Sequence, residues 1–235
     1  MNKSTDSTQV IAQSLGECWI ACIDHVLRYG SLHKDEDVAI RESLGLSVHV
    51  SNPQCQDALI DAVGDRSVIE RMLTKFSKGV EMPERPFTYG SRIFDNSGIN
   101  QFEWIVQRLM NKRETKSATI GLLIPGSEAV NLPCLTTIDA KIRDDKLDLH
   151  FFFRSQNIFG RQYANLLALS KLQKDIADAC GIGVGALRGY VSSAHIYEFD
   201  LPQARRIVAG EMFAICDRYY LAGPQSIRVG AAVAT

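Results

Sequence analysis

Cys134 stands in Asn131-Leu132-Pro133-Cys134-Leu135, directly after a proline and at the head of an alternating apolar run. Proline fixes the backbone and removes one N–H, so a thiol placed there is held rigidly at a sheet edge. A single cysteine is more often buried packing than chemistry; the residues downstream make this one a candidate nucleophile. Arg154-Ser155 closes the next strand-like run. A guanidinium beside a thiol lowers its pKa and raises the thiolate fraction, and arginine with serine suits a phosphate monoester. Asn165 carries both a donor and an acceptor, which can pair with the amide edge of a uracil ring. In Ala194-His195-Ile196-Tyr197 the histidine and tyrosine are two residues apart and on a strand share one face, side by side for a sugar hydroxyl. The set combines a candidate nucleophile with groups that suit a phosphate, the amide edge of a base and a sugar hydroxyl.

The elements that must position these groups follow from pattern. A helix is expected over Gly16 to Arg28, with Trp19, Ile20, Ile23, Val26 and Leu27 at helical period, and a second near Asp35. Leu46 to Ser51 alternates as a short strand. Ser67 to Phe76 reads as a helix opened by a Ser67/Glu70 capping box, and residues 80–97 as loop and turn. Gln101 to Met110 is helical and Ala118 to Ile124 a strand. Leu135 to Arg143 and Lys146 to Arg154 flank Asp144-Asp145 as a β-hairpin. Tyr163 to Ala179 is a long helix stopped by Gly181, Arg188 to Phe199 a strand, Pro202 to Gly210 a helix, and Arg218 to Val229 terminal strands. Hairpins mixed with long helices indicate an α+β fold, a mixed sheet flanked by helices. One domain over residues 1–235 is expected, with residues 1–10 mobile.

Composition narrows the partners. The 235 residues carry 26 basic and 27 acidic side chains, a net charge of −1, so nothing in bulk attracts nucleic acid or an anionic membrane. No run of 18 apolar residues is present, no membrane span is expected, and the N-terminus lacks an apolar targeting core. The six cysteines then read as reduced thiols of a cytoplasmic protein. Cys18, Cys22 and His25 share a helix face, but without a fourth ligand they read as core, and no metal is expected. Arg205-Arg206 reads as a surface pair, with a phosphate contact from a second subunit as the alternative.

Leu132-Pro133-Cys134, Phe153-Arg154-Ser155, Asn165 and Ala194-His195-Ile196-Tyr197 together resemble thymidylate synthase and its pyrimidine hydroxymethylase relatives, most closely the small archaeal-type members. Arg154 follows Cys134 by 20 residues, Asn165 by 31, His195 by 61 and Tyr197 by 63, intervals that agree with the family without gaps. The resemblance runs from about Tyr89 to Tyr197 and implies a homodimer with a thymidylate synthase-like fold. It implies that Cys134 adds to C6 of the pyrimidine, that C5 takes a carbon from 5,10-methylenetetrahydrofolate, and that no metal takes part. Arg154 and Ser155 would hold the phosphate, Arg154 would also activate Cys134, Asn165 would read the base, and His195 and Tyr197 the sugar 3′ hydroxyl. Tyr89 resembles the family's proton-network tyrosine. Glu70 is the candidate for the helix glutamate that polarises the base, with Glu81 and Glu42 as competitors.

Three departures follow from the same resemblance. Two adjacent arginines that reach a phosphate across the dimer interface are replaced around Thr115-Lys116, leaving Lys116 as a single charge and Arg113 out of register. The aspartate that contacts the pterin falls on Asn157, and a glycine near the folate falls on Arg161. Asn165 and Ser155 point to dUMP. The rivals are 5-hydroxymethylation of (d)UMP or (d)CMP, in phage or nucleoside-antibiotic metabolism, and a nucleotide-binding module without folate chemistry.

Overall fold

The computed structural model describes residues 8–82, 87–124, 126 and 132–215. In chain order its elements are β1 (Gln9–Ala12), α1 (Leu15–Tyr29), β2 (Ser31–Asp35), β3 (Val38–Val50), α2 (Ala58–Val63), α3 (Arg66–Phe76), α4 (Tyr89–Phe94), α5 (Gln101–Asn111), β4 (Thr119–Gly121), β5 (Leu135–Arg143), β6 (Lys146–Phe153), β7 (Gln156–Asn157), α6 (Gln162–Cys180), β8 (Gly183–Tyr197) and α7 (Leu201–Val208). The eight strands form one mixed sheet in the order β1-β3-β8-β6-β5-β4, with β2 added to β3 and β7 to β8. β1 runs parallel to β3, and β6 and β7 parallel to β8, while the other pairs are antiparallel. The expected α+β class is therefore the observed one.

Alternation sorts the sheet into two faces. Val10, Val48, Leu187, Leu149 and Ala140 point to one side and are buried, and α1 and α6 pack over that side. The opposite positions form a row across six strands, Ile11 followed by the polar His49, Arg188, His150, Asp139 and Thr119, each paired with the next. Phe152 and Tyr190 stack beside that row with ring centroids 5.4 Å apart, both partly exposed.

Helix ends are fixed by short polar side chains. Ser14 and Glu17 form a capping box at the start of α1. Asp57 caps α2 through Leu59 N–H and Ile60 N–H and also accepts from Gly16 N–H at 2.8 Å, tying the starts of two helices together. Such a cap contributes about 1 kcal/mol. The core reaches the site through Trp19, whose indole N–H donates to Ile158 O at 3.0 Å. It also reaches it through Gln173, which donates to Leu147 O, Gly185 O and Ala186 O beside an irregularity in the β6–β8 register.

Several expectations are corrected. The segment at Asp35 is a β-hairpin and not a helix: β2 and β3 pair from Asp35↔Val38 to Ser31↔Glu42, with Glu36 at φ 52 in the turn. Residues 9–12 are a strand, while residues 1–7 lie outside the described residues. Asp65, not Ser67, caps α3. The expected loop 80–97 contains α4, started by a Thr88/Ser91 capping box. The strand expected at 188–199 begins at Gly183 and ends at Tyr197, the one at 46–51 begins at Val38, and the one at 118–124 keeps only Thr119–Gly121. The expected strands at 218–229 lie outside the described residues.

Gly90 sets how closely α4 meets α3. A Cβ there would lie 2.0 Å from Ser77 O, so only glycine allows the backbones to touch. Gly90→Ala should lower stability by about 1–3 kcal/mol, the usual cost of overpacking, read as a lower midpoint in urea unfolding.

Candidate functional site

The β5–β6 hairpin delivers the thiol and the arginine. Its turn, Asp144-Asp145, has both residues at positive φ, 49° and 57°, the geometry that matches strand twist in a two-residue hairpin. At the open end Arg154 N–H donates to Cys134 O at 2.8 Å. The Arg154 side chain turns back over the same segment: Nε donates to Pro133 O at 3.1 Å and Nη2 to Leu132 O at 2.8 Å. Two bonds from one planar guanidinium fix the approach to Cys134, which is half-buried.

β7 and β8 deliver the next group. Asn157 pairs with His195 and Gln156 with Ala194. Ser155 Oγ and His195 Nδ1 are 3.4 Å apart. Tyr197 donates from its hydroxyl to Asp35 Oδ2 at 2.9 Å, so the β2–β3 turn buttresses the far wall. His195 is 7% exposed; burial pushes its pKa down, against smaller upward pulls from Asp35, a backbone bond at Ser193 and Glu42. The neutral ring therefore prevails at pH 7, with one nitrogen to donate and one to accept.

The first turn of α6 carries Asn165, 4% exposed. Its Nδ2 donates to Arg161 O at 3.0 Å, while Oδ1 is buried without a hydrogen-bond partner among the described residues. Asn157 Oδ1 accepts from Gly160 N–H at 2.8 Å, and the Arg161 guanidinium donates to Gly160 O at 2.7 Å. From α4, the Tyr89 hydroxyl accepts from Leu135 N–H at 3.4 Å, and its ring packs on Phe76 of α3 at 4.8 Å.

Apart from Phe76, the side chains that make these bonds line one cavity of about 570 Å³, a size suited to a small ligand. Of the residues singled out from sequence, Cys134, Tyr89, Arg154, Ser155, Asn157, Arg161, Asn165, His195 and Tyr197 meet there. Glu70 and Lys116 do not. Glu70 lies on the exposed side of α3, whose cavity-lining residues are Met72 and Lys75; two helical positions are about 200° apart, which places Glu70 on the far side. Glu42 and Glu81 do not line the cavity either; Glu42 accepts from Ser193 on β8. Lys116 lines a separate pocket with Arg108, Lys112 and Thr115. Arg113 pairs with Asp145 at 2.6 Å, and Arg206 with Glu211 at 2.7 Å on the surface. Cys18, Cys22 and His25 are buried in the core, His25 at 3.0 Å from Ser43 Oγ. Among the described residues no group of three or more metal-ligating side chains is present.

Sequence reasoning missed Asp35, Glu36, Met72, Lys75 and Arg92, which also line the cavity. One signal was available for Lys75. It follows Val68 and Met72 on the buried stripe of α3, where a charged residue is out of pattern.

Residues 66–218 match the family model described as thymidylate synthase. The chain belongs to the thymidylate synthase family. A protein named "Putative thymidylate synthase" from Methanococcoides burtonii is 30% identical over 203 residues, covering 85% of this chain and 94% of the relative. Proteins of the same printed name from Methanosarcina mazei, 28% identical over 89% of this chain and 98% of the relative, and Methanothermobacter marburgensis, 25% identical over 85% and 97%, extend the similarity across nearly the whole length. Thymidylate synthases are transferases, and the family uses methylenetetrahydrofolate. No helix among the described residues is long and apolar enough to cross a membrane.

Burial lowers the pKa of His195, His49 and His150 in the folded chain, with a nearby Arg188 adding to the effect at the last two. A histidine depressed on folding binds its proton more readily when unfolded. Its stabilisation is present above the unfolded pKa of about 6.5 and is lost as pH falls below it. The urea midpoint should therefore be flat from pH 8 to 7 and drop between pH 6.5 and 5. His195→Gln should remove part of that drop.

Proposed function

We propose that the protein is a one-carbon transferase acting at C5 of a pyrimidine nucleotide, with dUMP as the preferred substrate. The observation that carries this reading is the convergence of Cys134, Arg154, Ser155, Asn165, His195 and Tyr197 on one cavity. The Cys134 sulfur adds to C6, and the C5–C6 π pair moves toward C5 and the C4 oxygen, making C5 a carbon nucleophile. The Arg154 charge beside the thiol favours the thiolate, and its guanidinium with Ser155 holds the phosphate. Asn165 Oδ1, buried and without a hydrogen-bond partner among the described residues, accepts from the ring N3–H, which selects uracil over cytosine. The second hydrogen on Asn165 Nδ2 faces a carbonyl. His195 and Tyr197 take the sugar 3′ hydroxyl.

Methylenetetrahydrofolate, when bound, supplies the carbon that C5 takes. Asn157 and Arg161 would hold it. The Asn157 acceptor is already engaged by Gly160 N–H, which leaves Nδ2 as a donor to a pterin acceptor, the reverse of what a carboxylate offers there. We further propose one domain over residues 1–235, a cytoplasmic location and a homodimer. The sheet face bearing Ile11, Phe152 and Tyr190, on which no described helix packs, supports the dimer. Lys116 would join the phosphate site only from a second copy.

Incubation with C5-tritiated dUMP and methylenetetrahydrofolate should release tritium and yield a methylated nucleotide with dihydrofolate. Cys134→Ala should abolish release. A product heavier by a hydroxymethyl group, with tetrahydrofolate left, would show hydroxymethylation instead. Equal release by wild type and Cys134→Ala sinks the reading.

A further inference from the structure

Sulfur addition at C6 leaves negative charge on the C4 oxygen of the ring. A site that speeds this step needs a donor or a positive charge aimed at the developing oxyanion. α3 delivers no carboxylic acid to the cavity: its lining residues are Met72 and Lys75, and Glu70 faces away. Among the described residues the carboxylates that line it, Asp35 and Glu36, sit on the β2–β3 turn, where Asp35 is bonded to Tyr197.

Lys75 is 8% exposed, a degree of burial that lysine reaches almost only when it is paired, and it lines the cavity. It lies on the same stripe as Val68 and Met72. Its chain neighbour Phe76 packs on the Tyr89 ring at 4.8 Å, and the Tyr89 hydroxyl accepts from Leu135 N–H, the residue after the nucleophile. The C-terminal end of α3 is thereby registered against the start of β5. Arg92 of α4, 4% exposed and 4.4 Å over the Phe87 ring, adds a second buried cation to the same cavity.

Resting on the proposed nucleotide chemistry, we propose that Lys75 is a catalytic residue whose ammonium group stabilises the C4 oxygen when Cys134 adds to C6. The S–C6 bond forms, the π pair ends on the C4 oxygen, and the ammonium donates its hydrogen there. On elimination the pair returns, the S–C6 bond breaks and the hydrogen goes back to nitrogen.

The test is debromination of 5-bromo-dUMP by dithiothreitol, which needs sulfur addition at C6 but no folate. Lys75→Met should slow it about 100-fold or more, the usual loss of an oxyanion donor, while the Kd for dUMP changes less than about threefold. Lys75→Arg keeps the charge and should recover most of the rate. Thermal melting checks that both variants fold; if Lys75→Met does not, Lys75→Gln replaces it. A Lys75→Met rate within threefold of an active wild type, or a loss confined to dUMP binding, overturns the role of Lys75 and leaves the nucleotide chemistry standing. A wild type no faster than Cys134→Ala overturns both.

Discussion

Arg154 is the constraint on which the cavity depends. Its backbone N–H closes the β5–β6 ladder on Cys134 O, and its guanidinium binds the carbonyls of Leu132 and Pro133. A lysine could supply the charge but not the forked grip. The same residue thus holds the backbone on both sides of Pro133 and Cys134 and leads into the β7 segment that carries Asn157. The remaining walls are hung on this corner: β7 on β8 through Asn157↔His195, α1 on the β7–α6 connection through Trp19, and α4 on β5 through Tyr89.

The polar half of the cavity is built in layers that hold one another without crowding its centre. Tyr197 is held by Asp35, His195 lies beside Ser155, and Asn157 by Gly160. Asn165 Oδ1 stands apart from these bonds, buried without a hydrogen-bond partner among the described residues, an arrangement that costs about 1–3 kcal/mol until a donor meets it.

The β5–β8 half of the fold was legible in the sequence because its signals are local. Asp144-Asp145 between two alternating runs can only be a tight hairpin, and Gly181, at φ 67, marks where the long helix must stop. The group around Cys134 was legible through joint spacing, since no single residue in it is distinctive. α3 was misread for a physical reason. Ser67 and Glu70 mimic a capping box, but Asp65 takes the cap, and the cavity then meets Met72 and Lys75 in place of Glu70. The β2–β3 hairpin hid because Ser31–Asp35 is exposed along its whole length and shows no alternation; it is a strand only because β3 is there to pair with it, which propensity does not encode.

The hairpin geometry also makes one corner of the cavity a local structure. Cys134 and Arg154 sit at the two open ends of a single hairpin, and hairpins of this kind close on a scale of about 1–10 μs. Cys134 meets Arg154 within this hairpin as a local event, whereas His195 and Tyr197 come into place through the long-range pairing of β3 with β8. Local closure of the hairpin thus ties Arg154 to the Leu132–Cys134 segment independently of the wall that carries His195 and Tyr197.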